Sequence, residues 1–263
     1  MTILDKIIAD KKREVALKKS IISVKQLEVS DLFGKRTTSL SESIKNSSGI
    51  IAEHKRRSPS KQTINSSFSV EEVVQGYEKF GASGISVLTD SKYFGGSLED
   101  LQLARASVQI PLLRKEFIID EYQILEAKSN GADAILLIAS VLTRSEIKQF
   151  SEFAKLLSLE VLLEIHNQEE LEKALMPSLD LIGVNNRNLK NFEISLKNSF
   201  DLAEMIPNEF LKISESGIHS PQDVLTLKEY GFNGFLIGEA FMRTDNPGKS
   251  LGQFINDLDL KKS

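Results

Sequence analysis

From Gly49 onward the chain repeats one cycle, a short β-branched apolar run followed by an amphipathic stretch of helical period, returning every ~25 to 35 residues. Eight cycles can be counted. Strands are predicted at Ile50–Glu53, Gly84–Leu88, Pro111–Arg114, Ala134–Ile138, Val161–Glu164, Leu181–Val184, Leu211–Ser214 and Phe235–Ile237. Helices are predicted at Val70–Phe80, Leu98–Ser107, Asp120–Asn130, Arg144–Leu157, Gln168–Leu175, Ser195–Met205, Pro221–Tyr230 and Gly248–Leu258. Gly81, Gly131 and Gly231 supply stop signals, Asp120, Thr143 and Ser220 suit N-caps, and Pro221 suits a first helical turn. Eight strand-then-helix units in a chain of 263 residues can close into a (β/α)8 TIM barrel, whereas a doubly wound sheet usually uses fewer strands and leaves two edges. Residues 48–263 are assigned to the barrel, and 1–47 to an N-terminal helical extension packing on its mouth, within one structural domain overall.

In such a barrel the residues that end the strands share one cavity. Here they are Glu53 and Lys55, Thr89 and Asp90, Lys115 and Phe117, Ser140, Glu164, Asn185 and Arg187, Glu215 and Ser216, and Gly238 and Glu239. Two lysines, an arginine and several carboxylates suit an anionic substrate whose reaction needs proton transfer. Glu53 and Lys55 are alternate residues, so a strand sends both to one face. Burying such a pair costs several kcal/mol per ion in rough terms, so it persists where chemistry or binding needs it. The other reading is a solvated strand end.

Glycines end the last two strands. Ser216-Gly217 and Gly238-Glu239 lie where barrel enzymes commonly hold phosphate, and without a Cβ the backbone amide can approach an anion closely. Either glycine could also be a plain turn residue. Lys115 would deliver an ammonium beside Phe117, and desolvation or neighbouring cations can tune a partly buried lysine toward neutral pH. It could instead form a structural salt bridge with Glu53 or Glu164. Glu164 either meets a barrel lysine or acts as a base.

Composition narrows the function. The chain is 41% hydrophobic, enough for a real core, and 33 basic against 37 acidic residues leave a net charge of -4, which argues against nucleic-acid binding. Absence of cysteine excludes disulfides, thiolate metal sites and cysteine nucleophiles. His54, His166 and His219 are far apart in sequence, so a His-rich metal site is not expected, though carboxylates could hold a hard cation such as magnesium. The amino terminus lacks the apolar run of a signal peptide or membrane span and reads as a cytoplasmic start. Its basic run, Lys11, Lys12, Arg13, Lys18 and Lys19, is read as a solvated helix face rather than a membrane-surface helix, because Glu14 interrupts it. A short helix is predicted near Val24–Val29, followed by a polar stretch from Lys35 to Ser48.

Several motifs sit in order at successive strand ends: Ile51-Ala-Glu-His-Lys, Ser58-Pro-Ser-Lys, Val87-Leu-Thr-Asp, Leu113-Arg-Lys-Glu-Phe-Ile-Ile-Asp, Leu163-Glu-Ile-His-Asn, Gly183-Val-Asn-Asn-Arg-Asn-Leu, Ser214-Glu-Ser-Gly-Ile and Phe235-Leu-Ile-Gly-Glu-Ala. With them most of the chain resembles the indole-3-glycerol phosphate synthase family. The resemblance implies a lyase of tryptophan biosynthesis that acts on 1-(2-carboxyphenylamino)-1-deoxyribulose 5-phosphate. Ring closure, decarboxylation and dehydration would give indole-3-glycerol phosphate. No redox cofactor or metal is implied, and a monomer is expected.

By the same resemblance Lys115 would be the general acid at the ribulose carbonyl, and Lys55 would hold the carboxylate or phosphate and could donate in the dehydration. The division between the two lysines stays open. Glu164 would stabilise the developing cationic nitrogen or remove a proton, while Glu53 and Asn185 hold reacting hydroxyls and the lysines. Ser58, Gly217, Gly238 and the Glu239 backbone match phosphate contacts, Phe94, Phe117, Leu136 and Leu189 match walls around the anthranilate ring, and Arg187, Glu215 and Ser216 complete a polar rim.

Two positions depart from the family pattern. His54 stands where the family usually has an apolar residue, and alternation turns it toward the surrounding helices as a packed core histidine. Lys61-Gln62 replaces a frequent Lys-Gly, which would stiffen the first loop. Competing readings are a related barrel such as phosphoribosylanthranilate isomerase, which would need a cysteine, and a catalytically silent phosphate-binding barrel.

Overall fold

The computed structural model describes residues 2–59, 61, 63–65, 67–188 and 192–261. Three helices come first: α1 (Ile3–Ile21), α2 (Val24–Glu28) and α3 (Leu40–Asn46). Strand and helix then alternate through β1 (Ile50–His54), α4 (Val70–Lys79), β2 (Gly84–Leu88), α5 (Ser91–Phe94), α6 (Leu98–Ser107), β3 (Leu112–Lys115), α7 (Glu121–Ser129) and β4 (Ala134–Ile138). The second half runs α8 (Arg144–Leu156), β5 (Glu160–Ile165), α9 (Gln168–Ala174), β6 (Leu181–Asn185), α10 (Lys197–Ala203), β7 (Leu211–Glu215), α11 (Pro221–Glu229), β8 (Gly234–Ile237), α12 (Glu239–Met242) and α13 (Pro247–Leu260). The eight strands form a closed parallel barrel in sequence order, β8 pairing back onto β1 through Ile50 with Phe235 and Ala52 with Ile237. The predicted (β/α)8 barrel is the fold found.

Alternation along the strands sorts the core into two layers. Ile51, Leu113, Leu136, Leu162, Leu181, Ile213 and Leu236 pack together inside the barrel. Their neighbours Ile50, Leu112, Ile135, Val161, Ile182 and Phe235 join the layer between strands and helices. The same alternation turns Glu53, Lys115, Glu164 and Glu215, each two residues beyond an inward apolar side chain, toward the axis, and Asn185, four residues beyond Leu181, with them.

Local chemistry sets the helix ends. Asp120, Thr143 and Ser220 each accept a hydrogen bond from the first turn of their helix, and Pro221 occupies the start of α11. Gly81, Gly131 and Gly231 follow helices with φ of +92°, +85° and +84°, a region closed to most side chains.

The polar stretch before the barrel contains a helix that the sequence reading missed. Ser39 caps α3, whose Leu40 and Ile44 are buried with the barrel interior. They lie over Gly84 and Gly234, the first residues of β2 and β8, so α3 plugs the amino-terminal end of the barrel. Exposed Glu42, Lys45 and Asn46 around them hid its two apolar anchors. The short helices α5 and α12 were missed because a single turn carries no periodicity to detect.

Lys11 corrects the reading of α1 as a wholly solvated basic face. It is only 2% exposed, with its ammonium enclosed by Glu14, Asp90 and Glu116, while Lys12, Arg13 and Lys19 are exposed. No helix among the described residues is long and apolar enough to cross a membrane.

Candidate active site

A cavity of about 460 Å³ opens at the carboxyl ends of the strands. Its wall combines charged strand-end residues with Phe94, Phe117, Leu136, Ile138 and Leu236, and Ile3, Leu4 and Ile7 of α1 contribute to it as well. The first turns of α1 thus line the cavity.

Lys115 forms the electrostatic centre. Its ammonium hydrogen bonds to Glu215 Oε2 and lies 3.8 Å from both Glu53 Oε2 and Glu164 Oε2. Burial alone would lower its pKa, but the three carboxylates outweigh burial and raise it above the ordinary lysine value. That reverses the sequence expectation of a lysine tuned toward neutrality. The ammonium is held charged, as a resting-state proton donor must be.

Glu53 spans both lysines. Its Oε1 accepts from Lys55 Nζ at 2.6 Å, and its other oxygen is the one facing Lys115. Burial pushes this carboxyl up, yet Lys55 and Lys115 pull harder and its pKa is net lowered. Glu215 behaves oppositely. It is 1% exposed, and burial, reinforced by Glu164 and only partly offset by Lys115, pushes it up to about 7. Its Oε1 has no hydrogen-bond partner among the described residues. Glu215 therefore lies beneath Lys115, deeper than the polar rim to which the sequence reading assigned it, and it is not part of the cavity wall.

His166 is the residue that sequence reasoning passed over. It follows β5, with Nε2 3.4 Å from Glu164 Oε1 and Nδ1 3.2 Å from Glu170 Oε2. Burial disfavours its charge, but Glu170, Glu164 and Glu215 overcome that and raise its pKa. The signal available was its i+2 spacing from Glu164, the same spacing that linked Glu53 to Lys55. His54, by contrast, is a buried core histidine as expected, pushed down to about 4 by burial and by the Arg56 charge.

The remaining predicted residues divide by position. Phe94 and Phe117 face one another with ring centroids 6.0 Å apart, and with Leu136 they form an apolar side of the cavity. Leu189 lies outside the described residues. Asn185, at the end of β6, and Arg187, just beyond it, line the cavity, the Asn185 Oδ1 accepting from the Arg187 amide at 3.0 Å. Ser58, Ser216, Gly217, Gly238 and Glu239 share a wall with Lys55, Lys61 and Arg243. Ser216 and Gly217 both adopt left-handed backbone, with φ of +66° and +79°. For serine that conformation is uncommon, and such strain clusters at ligand sites. The Glu239 carboxylate is clamped by Lys61 and by Arg243 Nη2 at 2.7 Å, tying the β1 loop to α12. Gln62 lies outside the described residues.

Comparison with known proteins identifies the family. The family model for indole-3-glycerol phosphate synthase matches residues 4–254. The indole-3-glycerol phosphate synthase of Bacteroides thetaiotaomicron is 49% identical over 257 residues, covering 97% of this chain and 98% of that protein. The enzyme of the same name from Polynucleobacter asymbioticus is 46% identical, covering 95% and 98%, and that of Burkholderia ambifaria strain MC40-6 is 43% identical with the same coverage. A solved structure described as "Native KDPGal structure" superposes with a TM-score of 0.58 at 12% identity, covering 81% of this chain and 93% of that one, which is a likeness of fold alone. A family match that runs through all eight strands, with relatives identical at nearly half their positions from end to end, makes the chain a member of the indole-3-glycerol phosphate synthase family.

Proposed function

We propose that Lys115 is the general acid and Glu164 the base or electrostatic stabiliser of the family reaction in this chain. That reaction is the carboxy-lyase step of tryptophan biosynthesis that turns 1-(2-carboxyphenylamino)-1-deoxyribulose 5-phosphate into indole-3-glycerol phosphate. The observation that carries the assignment is the Lys115 ammonium, held charged inside the barrel by Glu215, Glu53 and Glu164. As the ring carbon attacks the ribulose carbonyl, Lys115 gives its proton to the carbonyl oxygen. Carbon dioxide then leaves and restores the aromatic ring. Loss of the new hydroxyl as water needs a second proton, and Lys55, held 2.6 Å from Glu53, is placed to give it. Glu164, facing the same ammonium, offsets positive charge on the ring nitrogen and takes its proton.

Two ends of the cavity serve binding. The facing rings of Phe94 and Phe117, with Leu136, hold the flat anthranilate portion. The phosphate is assigned to Ser58, Gly217, Gly238 and the Glu239 backbone, with Lys55 nearby, and Arg187, Ser216 and Asn185 hold the polar chain between. Binding at two remote ends bends the substrate into attack geometry. Glu53 fixes both lysines, and Glu215 positions Lys115 from below. The extension, residues 1–47, covers the mouth through α1, and residues 48–263 carry the chemistry. A cytoplasmic monomer acting without metal or redox cofactor completes the reading.

The test is steady-state formation of indole-3-glycerol phosphate, followed by fluorescence, with wild type and Lys115→Ala. Turnover lost in the variant, with substrate binding retained, is the expected result. Near-normal turnover by Lys115→Ala would remove Lys115 from the acid role, and substrate binding without turnover by wild type would make the barrel catalytically silent.

A further inference from the structure

Lys11 belongs to α1, far in sequence from every proposed catalytic residue, yet it is among the most deeply buried charged side chains. Its ammonium lies 3.0 Å from Asp90 Oδ2, 3.0 Å from Glu116 Oε1 and 2.8 Å from Glu14 Oε2. Burial opposes its charge, but Glu116, Asp90 and Glu14 outweigh burial and raise its pKa. A lysine that only anchored a helix could use surface partners, as Lys19 does with Asp120 at 2.8 Å. Lys11 instead reaches the two carboxylates that organise the aromatic wall.

Asp90 uses its second oxygen, Oδ1, to accept from the Tyr93 amide at 2.7 Å, which caps α5, the single turn that ends on Phe94. Glu116 Oε1, the oxygen that Lys11 touches, also accepts from the Phe117 amide at 2.8 Å. Glu116 Oε2 accepts from Thr89 Oγ1 at 3.0 Å, joining the ends of β2 and β3. One ammonium thus holds both backbone segments that carry the facing rings. Both carboxylates are nearly solvent-free, 2% exposed for Asp90 and 3% for Glu116. Without the cation between them they repel, and separating them moves Phe94 relative to Phe117.

We infer that Lys11 is a positioning residue for the ring subsite, setting the spacing of Phe94 and Phe117 through Asp90 and Glu116, so that α1 helps determine recognition of the substrate's aromatic end. This rests on the ring subsite proposed above. The reacting groups around Lys115 share no hydrogen bond or ion pair with Lys11, so the effect falls on binding of the ring rather than on proton transfer.

The experiment compares wild type with Lys11→Met, Lys11→Arg and Lys19→Ala, by ligand-observed NMR titration with anthranilate and separately with inorganic phosphate, and by steady-state kinetics. Lys11→Met should weaken anthranilate binding and raise KM about tenfold or more, leaving phosphate binding unchanged and kcat within about threefold. Lys11→Arg should recover part of the loss, and Lys19→Ala, which unties the same helix at its surface, should change neither ligand. A double variant, Lys11→Met with Glu116→Gln, removes one charge of each sign and guards against misfolding of the single variant. It should melt closer to wild type than Lys11→Met does and, with the repulsion between the two carboxylates removed, recover part of the anthranilate binding. Equal anthranilate affinity in wild type and Lys11→Met, or no recovery in the folded double variant, would overturn the role of Lys11 and leave the ring subsite standing. Parallel loss of both ligands, or the same loss in Lys19→Ala, would reduce Lys11 to a general anchor and overturn the proposal. No anthranilate binding by wild type would withdraw the ring subsite itself, and the proposal with it.

Discussion

A Cβ on Gly238 would stand 2.8 Å from Oε1 of Glu53 and 2.9 Å from its Cβ, across the seam where β8 closes onto β1. The glycine that the sequence offered as a phosphate contact therefore also makes room for the carboxylate that spans both lysines. Its φ of -124° lies outside the left-handed region, and the close approach to Glu53 is the obstacle to alanine there. Gly238→Ala should displace Glu53 and lower kcat by about 10- to 100-fold, since a displacement of about 1 Å at a catalytic group carries a loss of that order. Steady-state kinetics beside a melting curve would check it, and wild-type kcat in a folded variant would show that Glu53 tolerates the shift.

Gly217 is constrained differently. Its φ of +79° excludes β-branched residues, and a Cβ there would lie 2.6 Å from Ile194 Cγ2. Gly217→Val should raise KM about tenfold and weaken inorganic phosphate binding in parallel, with a smaller effect on kcat. Unchanged phosphate affinity would take Gly217 out of that site.

Glu215 gives a pH-dependent stability. Its carboxyl is raised from 4.5 to about 7, so the folded state takes up its proton more readily than the unfolded chain does. Its contribution is then fully present below pH 4.5 and is lost as pH rises through about 7. The melting temperature of wild type minus that of Glu215→Gln should fall across this window. A difference independent of pH would mean that Lys115 fully compensates the buried charge.

His166 titrates in the same sense by another cause. Its pKa is raised from 6.5 because Glu170 and Glu164 favour the imidazolium more than burial opposes it. The stabilisation is fully present below pH 6.5 and is lost as pH climbs through the raised value. His166→Gln should therefore be destabilised most at pH 6 and approach wild type in mildly alkaline solution. Because Nε2 faces Glu164 at 3.4 Å, the acid limb of the pH–rate profile should move as well. Identical melting-temperature differences at pH 6 and pH 9 would show that folding leaves the proton affinity of the ring unchanged.

The barrel and most of its polar interior were legible in the sequence because strand alternation acts over two residues and helix amphipathicity over four. The run Leu113-Arg-Lys tells by itself that Lys115 shares a face with Leu113, and Glu53 with Lys55 follows the same rule. Strand ends were predicted one residue short at Lys115, Asn185 and Glu215, because a charged or amide side chain reads as the start of a loop until the barrel closes around it. The four-residue helices and α3 escaped for the opposite reason, since their buried anchors were too few to make a pattern.

The order of the strands, the inward face of each and the residues offered at their ends were set by the sequence, through interactions between near neighbours. Which carboxylate meets Lys115 was decided only by the tertiary structure. Glu215 lies 100 residues away and reaches it because barrel closure and register place β7 across from β3. Closure likewise turned Lys11 from an apparently solvated charge into a buried ion-pair centre, and set the direction of each pKa shift. Charge interactions depend on distance through space and on burial, and neither is a property of position along a chain.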